Sequence, residues 1–114
     1  MQFSKRVGRL GNVDVLRCDN LSASCVVSLR NKMNRLMNRR HFRVVVDLRS
    51  ARKVDVAGLG ILVERLIRIR EQKGDIRLCS LRPELSHVMD RVGVASLFET
   101  FNTKEEALES FREL

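Results

Sequence analysis

The sequence contains no tryptophan and no tyrosine, and five phenylalanines are its only aromatic residues. Proteins that bind single-stranded nucleic acids usually stack bases on aromatic side chains beside a basic groove, so this shortage weighs against such a function. No apolar run approaches the roughly 20 residues that a membrane-spanning helix needs, and we expect no membrane span. The first residues also lack the apolar segment of a secretory signal, so we expect a cytoplasmic location.

Cysteine is scarce as well. The three cysteines, Cys18, Cys25 and Cys79, are odd in number and include no Cys-x-x-Cys pair. This pattern predicts reduced thiols rather than a disulfide framework. His41 and His87 have no cysteine at the spacing of a zinc finger, so we expect neither a metal site nor a cofactor.

The usual catalytic motifs are missing. The sequence has no Gly-x-Ser-x-Gly nucleophile motif and no phosphate-binding Gly-x-x-x-x-Gly-Lys-Ser/Thr loop. Gly58-Leu59-Gly60 is only a fragment of a dinucleotide fingerprint, because Val63 stands where the third glycine is needed. With no acid, base or nucleophile set to name, we expect no enzymatic activity and no small-molecule substrate.

What the sequence does contain is a globular composition with an uneven charge. Its 114 residues are 44% hydrophobic and 32% charged, which predicts one domain over residues 1–114. The net charge is +8, with 19 basic and 7 acidic residues in 1–82 but 3 basic and 7 acidic in 83–114. This excess favours an acidic protein partner; a nucleic-acid-binding domain is the weaker alternative, because no reader motif is present.

Hydrophobic periodicity predicts the element order ββαβαβαβα. Such alternation is typical of an α/β domain, here with a mixed, mostly parallel sheet of about five strands and about four helices. The run Phe-Arg-Val-Val-Val-Asp-Leu at 42–48 is typical of a strand covered on both faces. Ser22 is predicted to cap the first helix and Gly74 to close the second, while Thr103 and Glu106 predict a capping box. The remaining predicted strands cover 2–8, 12–18, 76–80 and the neighbourhood of 97–101.

The segment 44–62 resembles the core of the STAS domain family, which includes bacterial anti-sigma-factor antagonists and the C-terminal domains of sulfate transporters. In that family a hydrophobic strand ending in Asp-Leu precedes a short loop and then Asp-Ser-Ser/Thr-Gly-Leu-Gly at a helix start. Here the strand ends in Asp47-Leu48, and the helix starts at Asp55-Val-Ala-Gly-Leu-Gly. The resemblance continues to the last predicted helix and implies a single STAS-type domain over nearly the whole chain.

The resemblance also implies how the family works. An anti-sigma factor that is a serine kinase phosphorylates the third residue of the motif, and the added charge breaks the complex. In this sequence Asp55 and Gly58 match the motif, Val56 replaces the first serine, and Ala57 occupies the phosphoacceptor position without a hydroxyl. Ser22 stands where the family often has an acidic residue.

We therefore expect a regulatory module that binds a protein partner, an anti-sigma factor or serine kinase, without being phosphorylated at the usual position. Ser50 precedes the motif but is interpreted as a turn residue rather than a substitute acceptor. The alternative is a STAS subunit of a transporter ATPase or of a stress-signalling assembly. The residues expected to contact the partner are Ser22, Asp55, Val56, Ala57, Gly58 and Leu59.

Overall fold

The computed structural model describes residues 2–6 and 12–112. Within these ranges the strands are β1 (Gln2–Arg6), β2 (Asn12–Arg17), β3 (Arg43–Asp47), β4 (Asp75–Cys79) and β5 (Thr100–Phe101). The helices are α1 (Ala23–Asn38), α2 (Val56–Glu71), α3 (Pro83–Val92) and α4 (Lys104–Glu109), with a short 3-10 helix at Ala95–Leu97. In this part of the chain, no helix has the length and apolar character needed to cross a bilayer.

The strands form one sheet in the order β1-β2-β3-β4-β5. The four strands β2 to β5 pair in parallel, and β1 adds to the edge as an antiparallel neighbour of β2. The predicted element order and the mixed, mostly parallel sheet are therefore confirmed. Residues 7 and 8 of the strand predicted over 2–8 lie outside the described residues.

The middle strand β3 is covered on both faces, as its β-branched run predicts. Val44, Val45 and Val46 are each 0% exposed. Val44 and Val46 belong to the larger hydrophobic cluster, which includes buried residues of α1, α2 and α3. Val45 belongs to a second cluster, which Leu108 and Phe111 join from the α4 side. The sheet thus separates two cores, and the larger one supports α1 and α2.

Several helix ends follow local sequence signals. Pro83 occupies the first turn of α3, where its missing amide costs nothing. At α4 the Glu106 amide donates to the Thr103 hydroxyl, and the Thr103 amide donates to the Glu106 carboxylate, both at 3.1 Å. The predicted capping box is confirmed.

Gly74 does not close α2 in the way that the sequence suggests. The helix ends at Glu71, and Lys73 takes the left-handed conformation with φ 64°. A Cβ on Gly74 would instead overlap the carbonyl oxygen of Phe42. Gly74 therefore permits close packing of two chain segments at the start of β4, a contact that local sequence signals do not encode.

The segment expected to be a strand around 97–101 divides into two parts. The 3-10 turn contains Leu97, and only Thr100–Phe101 pairs with β4. Phe98 lies between them and is buried in the larger core. The apolar side chain of Phe98 correctly indicated a buried position, but it did not distinguish a turn from a strand.

Candidate functional site

The candidate site lies where the β2–α1 connection meets the loop between β3 and α2. Both connections follow parallel strands, so they leave the sheet at its carboxyl edge, where open α/β sheets usually bind ligands. An isolated parallel bridge pairs Leu21 with Val54. The Leu21 amide donates to the Lys53 carbonyl at 2.8 Å, and the Asp55 amide donates to the Leu21 carbonyl at 3.2 Å. The two connections are thus joined through their backbones just before α2 begins.

Asp55 is the N-cap residue of α2 and determines where the helix starts. Its backbone is extended, with φ −133° and ψ 166°. Its Oδ1 accepts a hydrogen bond from the Gly58 amide at 2.7 Å, and its carbonyl accepts one from the Leu59 amide at 3.1 Å. The carboxylate satisfies an amide that has no partner within the helix, and it lies at the positive end of the helix dipole.

Val56 and Ala57 form the first two positions of α2, and both are exposed. Val56 keeps 67% of its surface accessible, more than any other exposed large hydrophobic residue in the described part of the chain. Ala57 presents a methyl group and no hydroxyl. The first turn of α2 therefore offers a small apolar surface at the expected contact position.

Gly58 and Leu59 were also predicted to contact a partner, but the structure buries both. Leu59 is 2% exposed and belongs to the larger core. A Cβ on Gly58 would overlap the Leu21 carbonyl oxygen, so this position admits no side chain without a shift of the backbone. Neither residue can present a side chain to a partner. Their function is to hold the first turn of α2 against the core and against the β2–α1 connection.

Ser22 lies next to Leu21 and therefore at the same edge of the sheet as the start of α2. It occupies the N-cap position of α1, as predicted, but its side chain makes no capping hydrogen bond. Its hydroxyl lies 3.4 Å from that of Ser24. A hydrogen bond with Ser22 lowers the pKa of the exposed Cys25 thiol, with further contributions from Ser24 and Asn20.

Ser50 and Asp47, which also lie near this edge, each have a hydrogen-bond partner within the chain. Ser50 lies in a turn, as expected, and its hydroxyl accepts a hydrogen bond from Nη2 of Arg17 at 2.6 Å. Asp47 is 3% exposed, and its two carboxylate oxygens accept from the amide and from Nη2 of Arg49, each at 3.0 Å. Asp47 is thus a structural acceptor.

Asn20 is a component of the site that sequence reasoning missed. Its Oδ1 accepts a hydrogen bond from the Lys53 amide at 3.1 Å, across 33 positions in the chain. The only signal in the sequence is an asparagine in a loop before a helix, which does not identify a partner so far away.

The acidic side chains of the site hold its backbone in place. Among residues 2–6 and 12–112, no group of three or more His, Cys, Asp or Glu side chains could hold a metal ion. The carboxylates of Asp47 and Asp55 are both used to fix backbone amides. Val56 and Ala57 add an exposed apolar surface on a rigidly held helix start.

Comparisons with known proteins identify the family. The chain is 31% identical over 70 residues to BtrV of Bordetella bronchiseptica, a candidate anti-sigma factor antagonist. That match covers 61% of this chain and 60% of the relative, so the chain spans about three fifths of that relative's length.

Two solved structures share the fold. A candidate anti-sigma factor antagonist from Thermotoga maritima superimposes with a TM-score of 0.79 at 18% identity, over 97% of this chain and 94% of the other. The Bacillus protein SpoIIAA in its phosphorylated form superimposes with a TM-score of 0.68 at 19% identity, over 98% and 100%. The model of the STAS domain matches residues 11–107, and the chain belongs to the STAS domain family.

Proposed function

We propose that this chain is a regulatory module of the anti-sigma-factor-antagonist type, which binds an anti-sigma factor or serine kinase without being phosphorylated at position 57. The surface that contacts the partner consists of Ser22, Asp55, Val56 and Ala57, and we call it the partner surface. The relatives named above, which are described as anti-sigma factor antagonists, support this assignment.

The observation that carries the proposal is the exposure of Val56 and Ala57 on a first turn that cannot move freely. Asp55 caps that turn, and Gly58 packs it against the Leu21 carbonyl. A surface held in this way loses little conformational entropy when it binds. Covering the side chain of Val56, which is 67% exposed, contributes about 1–2 kcal/mol toward association, because burying a whole valine side chain is worth about 1.5–3 kcal/mol.

The chemistry of position 57 distinguishes this module from a kinase substrate. By the family resemblance, the phosphoryl group of a phosphorylated antagonist is attached at this position. A phosphate would add about −1.5 to −2 charges to the first turn of α2. Ala57 has no oxygen to accept it. The complex is therefore expected to persist in the presence of ATP, whereas a phosphorylatable antagonist would be released.

The charge around the partner surface indicates the kind of partner. Arg49, Arg52 and Lys53 are exposed in the loop that leads to α2. Their positive charge favours an acidic surface on the partner and increases the rate of encounter. This dependence predicts weaker association at higher ionic strength.

The test uses the purified chain and a serine kinase of the anti-sigma type from the same organism, with radiolabelled ATP. Wild-type chain is expected to bind and to acquire no label, while Ala57→Ser acquires label at position 57. Ala57→Glu is expected to weaken binding at least tenfold, because its charge must lose water at a packed surface.

Ser86→Glu is the matched control, because Ser86 is exposed near the start of another helix, α3. It adds the same charge and is expected to leave affinity unchanged. Label on wild-type chain within residues 49–60, or equal affinity for Ala57→Glu and wild type, would contradict the proposal. Stable copurification with the subunits of a transporter ATPase, without binding to any such kinase, would favour the alternative assembly.

A further inference from the structure

A second surface lies at the opposite end of the sheet from the partner surface. Arg43 and Asp75 pair at the first positions of β3 and β4, which is the amino edge of the parallel sheet. Here the structure has a cleft of about 380 Å³. Five cationic side chains line this basic cleft: Arg43, Arg70, Lys73, Arg77 and Arg112.

Two of these arginines are held in fixed orientations by one carboxylate. Asp75 accepts from Nε of Arg70 at 2.9 Å with one oxygen and from Nε of Arg77 at 3.0 Å with the other. Arg77 also donates from Nη1 to the carbonyl and the hydroxyl of Ser110, at 2.6 Å and 2.9 Å. Its guanidinium lies 4.1 Å from the centroid of the Phe111 ring. These contacts orient planar donors before any ligand arrives.

The turn that carries Lys73 is also fixed by its surroundings. Lys73 is exposed and has a left-handed backbone, and Gly74 packs closely against the Phe42 carbonyl. The ammonium group is therefore presented from a defined backbone position between α2 and β4. A flexible lysine on a rigid turn adds a mobile charge to the fixed guanidinium groups.

Three carboxylates lie within ion-pair distance of cations that line the cleft. Asp75 lies inside the cleft, Glu99 pairs with Arg77 at 3.0 Å, and Glu109 pairs with Arg112 at 2.9 Å. Arg70, Arg77 and Arg112 take part in these ion pairs, and Arg43 and Lys73 add two further cations to the lining.

We propose that the basic cleft binds the phosphate groups of a phosphorylated small molecule. Guanidinium and ammonium groups form charge-assisted hydrogen bonds with phosphate oxygens. A phosphate group suits several converging cations better than a carboxylate does, because it carries three acceptor oxygens and about −1.5 to −2 charges. The Phe111 ring is already covered by Arg77. Recognition therefore centres on the phosphate and leaves the rest of the ligand unspecified. The cleft shares no lining residue with the partner surface. Phosphate binding at the cleft can therefore be tested independently of the proposed function.

The test is a titration of the full chain with pyrophosphate and with inorganic phosphate at low ionic strength, followed by amide NMR shifts. We expect saturable shifts confined to residue 43 and residues 70–77 and 110–112, tighter binding of pyrophosphate than of phosphate, and weaker binding as sodium chloride is added. Shifts scattered over other basic regions would overturn the proposal. So would tighter binding of an oligoglutamate peptide than of pyrophosphate, because it would identify an acidic protein as the ligand.

A double variant, Lys73→Asn with Arg112→Gln, tests the residues directly. Asparagine accepts the left-handed backbone at position 73, so the charge is removed without added strain. We expect pyrophosphate affinity to fall about tenfold, since each substitution removes one charge-assisted contact. The control double variant, Arg68→Gln with Arg91→Gln, removes two exposed charges outside the cleft and should bind like wild type. Equal affinity of both double variants, each with a native-like NMR spectrum, would refute the assignment.

Discussion

Replacing Gly58 by alanine tests the close approach on which the partner surface depends. The new Cβ would overlap the carbonyl oxygen of Leu21 and would lie 3.2 Å from Oδ1 of Asp55. Gly60 lies two residues further along the same helix, and a Cβ there would meet nothing within 4 Å. The two glycines therefore form a matched pair, in which the same substitution has opposite surroundings.

The expected magnitudes follow from the contacts of Leu21. In a helix, alanine is favoured over glycine by about 1 kcal/mol, and this term is common to both positions. At position 58 the Leu21 carbonyl must move. This movement weakens two hydrogen bonds, each worth about 1 kcal/mol: the one from the Asp55 amide to the Leu21 carbonyl, and the one from the Leu21 amide to the Lys53 carbonyl. Leu21 is also 0% exposed, and displacing it costs about 1–2 kcal/mol more. Gly58→Ala should therefore destabilise by about 2–3 kcal/mol net, and Gly60→Ala should stabilise by about 0.5–1 kcal/mol.

Thermal and urea unfolding measure both changes. At about 4 °C per kcal/mol for a chain of this size, Gly58→Ala should lower Tm by about 10 °C, and Gly60→Ala should raise it by about 2–4 °C. If Gly58→Ala is as stable as Gly60→Ala, the first turn of α2 does not pack against Leu21 as described. The partner surface would then not be held rigidly either.

Three further predictions concern the cap and the thiols. Asp55→Ala should cost about 1 kcal/mol in urea unfolding and Asp55→Asn much less, because asparagine also caps a helix; equal losses would refute the capping role. In native chain near neutral pH, iodoacetamide should label Cys25 first, because Cys25 is exposed and its hydrogen bond with Ser22 lowers its pKa. Burial raises the pKa of Cys18 and Cys79 to about 11, so these two thiols should react more slowly. Peptide mapping that finds Cys79 labelled as fast as Cys25 would contradict this prediction. Above pH 9.0 the unfolded chain loses the Cys18 and Cys79 protons before the folded chain does, so their contribution to stability is complete below pH 9.0 and lost as pH rises to about 11. The loss should reach about 2–3 kcal/mol per thiol and should diminish in the corresponding cysteine-to-alanine variants.

Features of the fold that local sequence encodes were predicted well. The β-branched run at Val44–Val46 indicated a strand with two covered faces, because such runs rarely suit a half-exposed strand. Pro83 marked a helix start and Thr103 a capping box, since each acts through residues within one helical turn. The order of elements followed, because alternating periods of about two and 3.6 residues distinguish strands from helices.

Features that depend on distant contacts were not predicted. The role of Gly74 depends on the Phe42 carbonyl, and the Leu21–Val54 bridge joins segments more than 30 positions apart. The carboxylate of Asp14, 0% exposed, lies 2.9 Å from Nδ1 of His41, although nothing near either residue in the sequence indicates the pair. Local patterns determine where a chain turns and which face it buries, but not which segments meet.

The motif at the start of α2 therefore contains residues of two kinds, and they carry different information. Asp55 and Gly58 are required by the structure itself, since one satisfies a helix amide and the other avoids a collision with Leu21. Asp55 and Gly58 therefore indicate how α2 starts, and they carry no information about what the chain binds. The side chains of Val56 and Ala57 are exposed, so packing does not dictate their identity. Function must be inferred from those two positions, and an alanine at the second supports binding without phosphorylation.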